Sequence, residues 1–217
     1  MVDLGLGLHD LPLFALTVLV LNATPGVDLV FTVSRTLQHG VRTGLAGAAG
    51  ISAGCVVHAL AAAFGLAALL AVSTTAFAVL KGIGAAYLVW LAVGMLRSAL
   101  QPAGATTTAG TIAPVPLGRV FRQGLLTNVL NPKVALFFLA FLPQFIDADA
   151  PHKTLAFLAL GVWFVLQSAL FLVALVVLTA RLRHLGQGSA TLGRWLDGLG
   201  GVLFLGLAVR LARTDLP

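Results

Sequence analysis

Long apolar stretches alternate with short charged punctuation along this chain, and the alternation predicts helices that cross a membrane. A run over residues 11–34 is interrupted by a charge only at Asp28 and predicts the first span. Between Arg42 and Lys81 there is no Lys, Arg, Asp or Glu. That stretch exceeds one helix, since roughly 20 residues suffice to cross the hydrocarbon core. Ser73, Thr74 and Thr75 offer the break, so a second span over 44–71 and a third over 77–96 are expected. Residues 97–119 hold Pro, Gly and a run of Thr and read as a flexible linker. A fourth span over 123–145 contains Lys133, and a fifth covers 154–180. The sixth, 196–209, is short because Asp197 and Arg210 bracket it, which leaves a five-span chain as the alternative. The fold class predicted is all-α: a polytopic membrane protein of about six transmembrane helices.

Composition sharpens this picture. Of the 217 residues 59% are hydrophobic and 9% charged, against about 25% charged in a soluble domain. The spans consume most of the chain and leave no sizeable soluble domain, so neither an enzyme nor a resident cofactor is expected. The net charge is +6, but the Lys and Arg residues sit between apolar runs, which reads as topology and not as a nucleic-acid footprint. Arg35, Arg42, Arg97, Arg119, Arg122, Arg181, Arg183 and Arg194 fall in alternate connections, with only Lys153, Arg210 and Arg213 on the other side. The positive-inside rule then places both termini outside the cytoplasm. Asp3, His9 and Asp10 precede the first apolar run without any Lys or Arg, so that run is expected to be a retained span and not a cleaved signal. The lone cysteine, Cys55, permits no intramolecular disulfide and reads as a small packing residue.

The chain also echoes itself. PGVDLVF at Pro25 returns as PKVALFF at Pro132, and KGIGAAYLVWLAVGMLR at Lys81 returns as DGLGGVLFLGLAVRLAR at Asp197. The matches keep their order, which suggests two three-helix repeats: residues 1–100, a linker over 101–118, and residues 119–217. An odd number of spans per repeat makes the second copy inverted, an arrangement that recurs in secondary transporters.

The repeated prolines carry the candidate chemistry. A proline inside a helix loses a backbone hydrogen bond and clashes with the preceding turn. Thr24 before Pro25-Gly26, and Asn131 before Pro132, are good capping residues, so each of spans one and four is expected to break into two half-helices. Their new N-termini would bring free N–H groups and positive dipole ends to the bilayer midplane, where a carboxylate could bind. The plainer alternative is a pair of proline kinks. Asp28 and Lys133 follow the prolines, and a charge at mid-span costs about 2.5–3.5 kcal/mol on insertion scales. Either they pair with each other, or Asp28 binds a substrate ammonium or carries a coupling proton while Lys133 binds the carboxylate. His58 is a candidate proton relay, with a buried hydrogen-bonded histidine as the alternative. Asn128 and Gln167 are candidate substrate contacts or interhelical hydrogen bonds. Gly44, Gly47, Gly50 and Gly54 line one helix face suited to close packing, or to a dimer seam. No phosphate-binding glycine loop, metal-site cluster or nucleophilic serine motif appears.

These residues resemble the lysine-exporter / homoserine–threonine-exporter (LysE/RhtB) family over nearly the whole chain. Its P-G-P-D element corresponds to Pro25-Gly26-Val27-Asp28, with Val27 in place of the second proline. The glycine-rich stretch from Gly44 to Gly54, the Gly84-Ala85-Ala86-Tyr87-Leu88 segment, Asn131-Pro132-Lys133 and the following 135–145 also correspond. Cys55 stands where the family often has an acidic residue. The resemblance implies export of amino acids or related zwitterions across a bacterial inner membrane, driven by an ion gradient. A proton-driven, alternating-access exporter is therefore expected, with the amino acid and the lipid bilayer as partners, no nucleic acid, and a homodimer as the favoured assembly. The alternatives are export of another small solute or a metal cation, or a non-transporting membrane scaffold.

Overall fold

A computed structural model of the chain describes residues 6–66 and 115–185, with isolated positions beyond them. The expected third and sixth spans, most of the 101–118 linker and the second pair of repeated segments lie outside the described residues.

The described part is helical. α1 (Leu11–Ala23) begins with Pro12 in its first turn, where a missing N–H costs nothing. α2 (Val27–His39) follows at an angle of 55°. Gly40 alone joins it to α3 (Val41–Ala61), at a φ of 85° that favours glycine. α3 runs on through a wider turn over Ala62–Leu66. α4 (Leu117–Val129) is bent by 47° into α5 (Pro132–Leu136), which is prolonged by irregular helix to Phe145. α6 (Lys153–Leu185) is continuous over 33 residues, about 50 Å at 1.5 Å per residue. Among the described residues two helices, Val41–Gly65 and Lys153–Leu182, are each long and apolar enough to cross a bilayer, and the two bent pairs raise that to four. The breaks fall at Pro25 and Pro132, where the sequence places them.

The exterior is apolar, as a lipid solvent requires. Leu170 is 72% exposed, and Leu16, Val30, Val57 and Leu166 also face outward. Inside, Phe14, Phe137, Phe138, Phe141, Phe145, Phe157 and Phe164 form a buried aromatic cluster. Their contacts are largely edge-on or tilted, as between Phe138 and Phe164 at 4.7 Å and Phe14 and Phe145 at 5.1 Å. Between helices in lipid the hydrophobic driving force is absent, so such fitted van der Waals packing holds them.

The glycine face of α3 packs inside the chain, with Gly50 and Gly54 against α4, Gly47 against Phe31 of α2, and Gly44 against Thr36 of α2 and Val176 of α6. A Cβ on Gly50 would fall on the carbonyl of Phe121, and one on Gly54 would lie 2.7 Å from the Asn128 side chain. Gly124 of α4 faces back, with the Gly47 carbonyl 2.5 Å from where its Cβ would be. Backbone meets backbone along this seam, which only small residues allow.

The described helix ends sort by side. His9 donates its N–H to the Phe145 carbonyl and Asp147 to that of Gly7, at 3.1 and 2.8 Å, so the N-terminal segment and the α5–α6 connection share one side. The Gly40 turn and the start of α4 share the other, tied by Arg35 donating to Gln123 at 3.1 Å. Arg35, Arg42, Arg119 and Arg122 gather there, as the charge pattern predicts.

Gly50→Ala is expected to cost about 2–3 kcal/mol through overpacking. Gly118→Ala, whose added Cβ meets nothing within 4 Å, is expected to cost none. Thermal unfolding of both variants in detergent checks the seam; equal midpoints would contradict it.

Candidate functional site

The two helix breaks meet, and each supplies what the other lacks. A residue before proline is held out of the α region, and Thr24 is extended (φ −64, ψ 126), which ends α1. Its N–H and hydroxyl both donate back to the Val20 carbonyl, at 2.9 and 2.6 Å. The carbonyls of Leu21 and Thr24 are then left at a helix C-terminus inside the membrane. Lys133 reaches across and donates its ammonium to both, at 2.8 and 3.1 Å. A cation at a helix C-terminus also complements the dipole. Lys133 is 8% exposed, and its Nζ lies 3.2 Å from where a Cβ of Gly26 would sit, so the bare glycine leaves room for it.

One expectation at this break is corrected. Thr24 does not cap α2, and Pro25 is not its first residue. Because Pro25 holds Thr24 extended, helical geometry resumes only after Gly26, which is the N-cap. At the second break the expected motif holds: Asn131 is the N-cap, its Oδ1 accepts from the Lys133 N–H at 3.0 Å, and Pro132 opens α5.

The other end of Asn131 holds the carboxylate. Its Nδ2 donates to Asp28 Oδ2 at 3.0 Å, and Asn128 Nδ2 donates to the same oxygen at 2.9 Å. Asp28 stands in the first turn of α2, where the dipole favours an anion. Asp28 and Lys133 thus form no direct ion pair; each binds at the other helix break instead. His58 donates from Nε2 to the Asn128 carbonyl at 3.0 Å and stacks on Phe138, so it touches Asp28 only through Asn128. Gln167 is not brought here. It donates to the Ala15 carbonyl at 2.7 Å and accepts from Trp163 at 2.9 Å, the interhelical hydrogen bond that its sequence position left open. Its neighbour Ser168 turns inward instead, accepting from Asn22 Nδ2 at 3.0 Å. Neither Asn22 nor Ser168 stands out in the sequence, although Ser168 is in helical phase with Phe164 and Leu172, which line the same cavity.

That cavity is enclosed and small, about 20 Å³, enough for about one water. Asn22, Asp28, Asn128, Lys133 and Ser168 are its polar walls, with Leu29, Ile51, Cys55, Phe164 and Leu172 among the apolar ones. Asp28 Oδ1 and Asn128 Oδ1 are buried here without a donor. An arrangement with spare acceptors, one of them a carboxylate, is suited to a ligand that donates hydrogen bonds and carries positive charge. Among the described residues no three His, Cys, Asp or Glu side chains converge as a metal site.

Lipid-facing helices, with two bent pairs meeting at a small cavity that has polar walls, define a polytopic membrane protein. Comparison with known proteins narrows the class. Residues 19–215 match the LysE type translocator family. An uncharacterized membrane protein of Pseudomonas aeruginosa is 36% identical over 212 residues, 97% of this chain and 98% of its own length. One of Vibrio cholerae is 34% identical over 199 residues, 92% of this chain and 94% of its own. A leucine efflux protein of Salmonella choleraesuis is 31% identical over 188 residues, 87% of each chain. No solved structure matches. The chain belongs to the LysE type translocator family and is a multi-pass membrane transporter, not an enzyme.

Lys133→Met keeps the apolar stem but strips the caps from Leu21 and Thr24. Bare buried carbonyls cost about 1–3 kcal/mol each, so a net loss of about 2–3 kcal/mol is expected. Denaturant unfolding in detergent measures it, and parental stability would show that the caps contribute nothing.

Proposed function

We propose that this protein is a secondary-active exporter of neutral amino acids, with its binding site at the junction of the two breaks. The observation that carries the reading is the pair of buried, donor-free oxygens, Asp28 Oδ1 and Asn128 Oδ1, facing one cavity. A substrate ammonium supplies both the missing donors and the charge that Asp28 lacks a direct partner for. Two of the three Lys133 N–H groups are committed to carbonyls; the third, with Asn22 and Ser168, is available for a carboxylate. Leu29, Ile51 and Leu172 then meet the side chain. Apolar walls favour an aliphatic residue, and a relative carries the name leucine efflux protein, so leucine is the first substrate to try.

A cavity of about 20 Å³ is too small for any amino acid, so binding requires the chamber to open. In our reading residues 1–100 and 119–217 are inverted repeats that rock about the breaks, opening the site to each side in turn. Asp28 carries the coupling proton when the substrate has left, with His58 behind Asn128 as its relay, and the proton motive force drives the cycle. The arginine-rich side faces the cytoplasm of a bacterial inner membrane, which leaves both termini periplasmic.

Cells fed leucine-containing dipeptides should release leucine faster with the protein than without it, and a proton uncoupler should abolish the difference. Asp28→Asn, inserted at parental levels, should retain at most about one-tenth of the rate, the effect of losing one charge-assisted contact. Full export by Asp28→Asn would remove the site from this junction.

A further inference from the structure

α2 is unlike its neighbours in what it buries. Its only fully buried residues are Thr32 and Thr36, whereas the buried positions of α3 are mainly glycine and apolar side chains. With Asp28 before them and His39 after them, they follow at helical steps and share one face. Packing sets that face against α3 and α6: a Cβ on Gly44 of α3 would run into the Thr36 hydroxyl and lie 3.2 Å from Val176 of α6.

The face is polar, and several of its polar atoms lack a partner. Among the described residues the buried side-chain atoms without a partner are Asp28 Oδ1, Thr32 Oγ1, His39 Nε2 and Asn128 Oδ1. Three lie on this face, and the fourth lines the cavity with Asp28. Thr32 is the clearest case. Thr17, Thr24, Thr36 and Thr43 each donate to the carbonyl four residues earlier, which satisfies their hydroxyls locally. Thr32, at 0% exposure, makes no such bond. Sealing a hydroxyl without a partner costs about 1–3 kcal/mol, a cost that valine of nearly the same shape avoids. The cost disappears in any state where the face is wet. Length fits such a role: from Asp28 to His39 the helix rises about 16 Å, close to half of the roughly 30 Å hydrocarbon core.

We propose that the face of α2 formed by Thr32, Thr36 and His39 lines the route by which solute and water reach Asp28 from the membrane side bearing the Gly40 turn. In this structure the route is closed by α3, and Gly44 is what lets α3 close over Thr36. This inference rests on the transport reading above and adds the path and its sidedness.

The test uses the full chain in membrane vesicles of both orientations, with Cys55→Ala removing the native thiol. Thr32→Cys and Thr36→Cys should react with a membrane-impermeant maleimide only from the side that labels Arg42→Cys at the Gly40 end. They should react at least about tenfold faster than Val30→Cys on the lipid face, since transient opening exposes one and not the other. Reaction from the opposite side, or no faster than Val30→Cys from either, overturns the route. The Thr32→Val/Thr36→Val variant guards against misfolding of the thiol variants. It should unfold no earlier than the parent yet export at least about tenfold more slowly; parental export by this variant also overturns the route. Labelling as expected in a chain that releases no amino acid would instead sink the transport reading and leave the hydrated face standing.

Discussion

Breaking a helix inside a bilayer frees backbone groups that no water can satisfy, and the rest of this structure follows from how that debt is met. The two breaks close each other. Lys133, from the second, caps the carbonyls at the end of α1, and Asn131 and Asn128 bind the carboxylate at the start of α2. Charges that would be costly alone at mid-span are held by neutral backbone and amide groups, not by one another. Each therefore keeps bonding capacity to spare.

Around this junction the helices differ in how firmly they are joined. α3 and α4 meet backbone to backbone along Gly47, Gly50 and Gly124, with Gly54 against the Asn128 side chain, and the aromatic cluster fixes α1, α5 and α6 on the opposite side of the membrane from the Gly40 turn. Such close contact resists gradual deformation. α2 meets α3 through Phe31 at Gly47, but its fully buried positions are threonines. The element that carries Asp28 is thus the one whose fully buried positions are threonines and that holds three of the buried polar atoms without a partner among the described residues.

Much of this was legible in the amino-acid order. The apolar runs determined an all-α membrane protein, because no other solvent suits 59% hydrophobic residues. Pro25 and Pro132 determined where the helices break, since proline acts on its own turn and on the residue before it. Asn131 was readable as a cap for the same local reason, and the glycine face of α3 as a close-packing surface.

Only the tertiary structure decided who binds whom. Opposite charges at Asp28 and Lys133 invite pairing, yet the ammonium goes to Leu21 and Thr24 and the carboxylate to two asparagines, partners about a hundred residues apart in the chain. Thr24 misled because its neighbour Pro25 delays the next helix by two residues, an effect of backbone geometry that residue preference does not reveal. Gln167 and Ser168 are adjacent, but about 100° per residue around a helix sends one toward α1 and the other into the chamber. Local rules act within a turn and can be read from sequence. The contents of a site depend on helix rotation and on facing neighbours, and those are set only when the whole bundle packs.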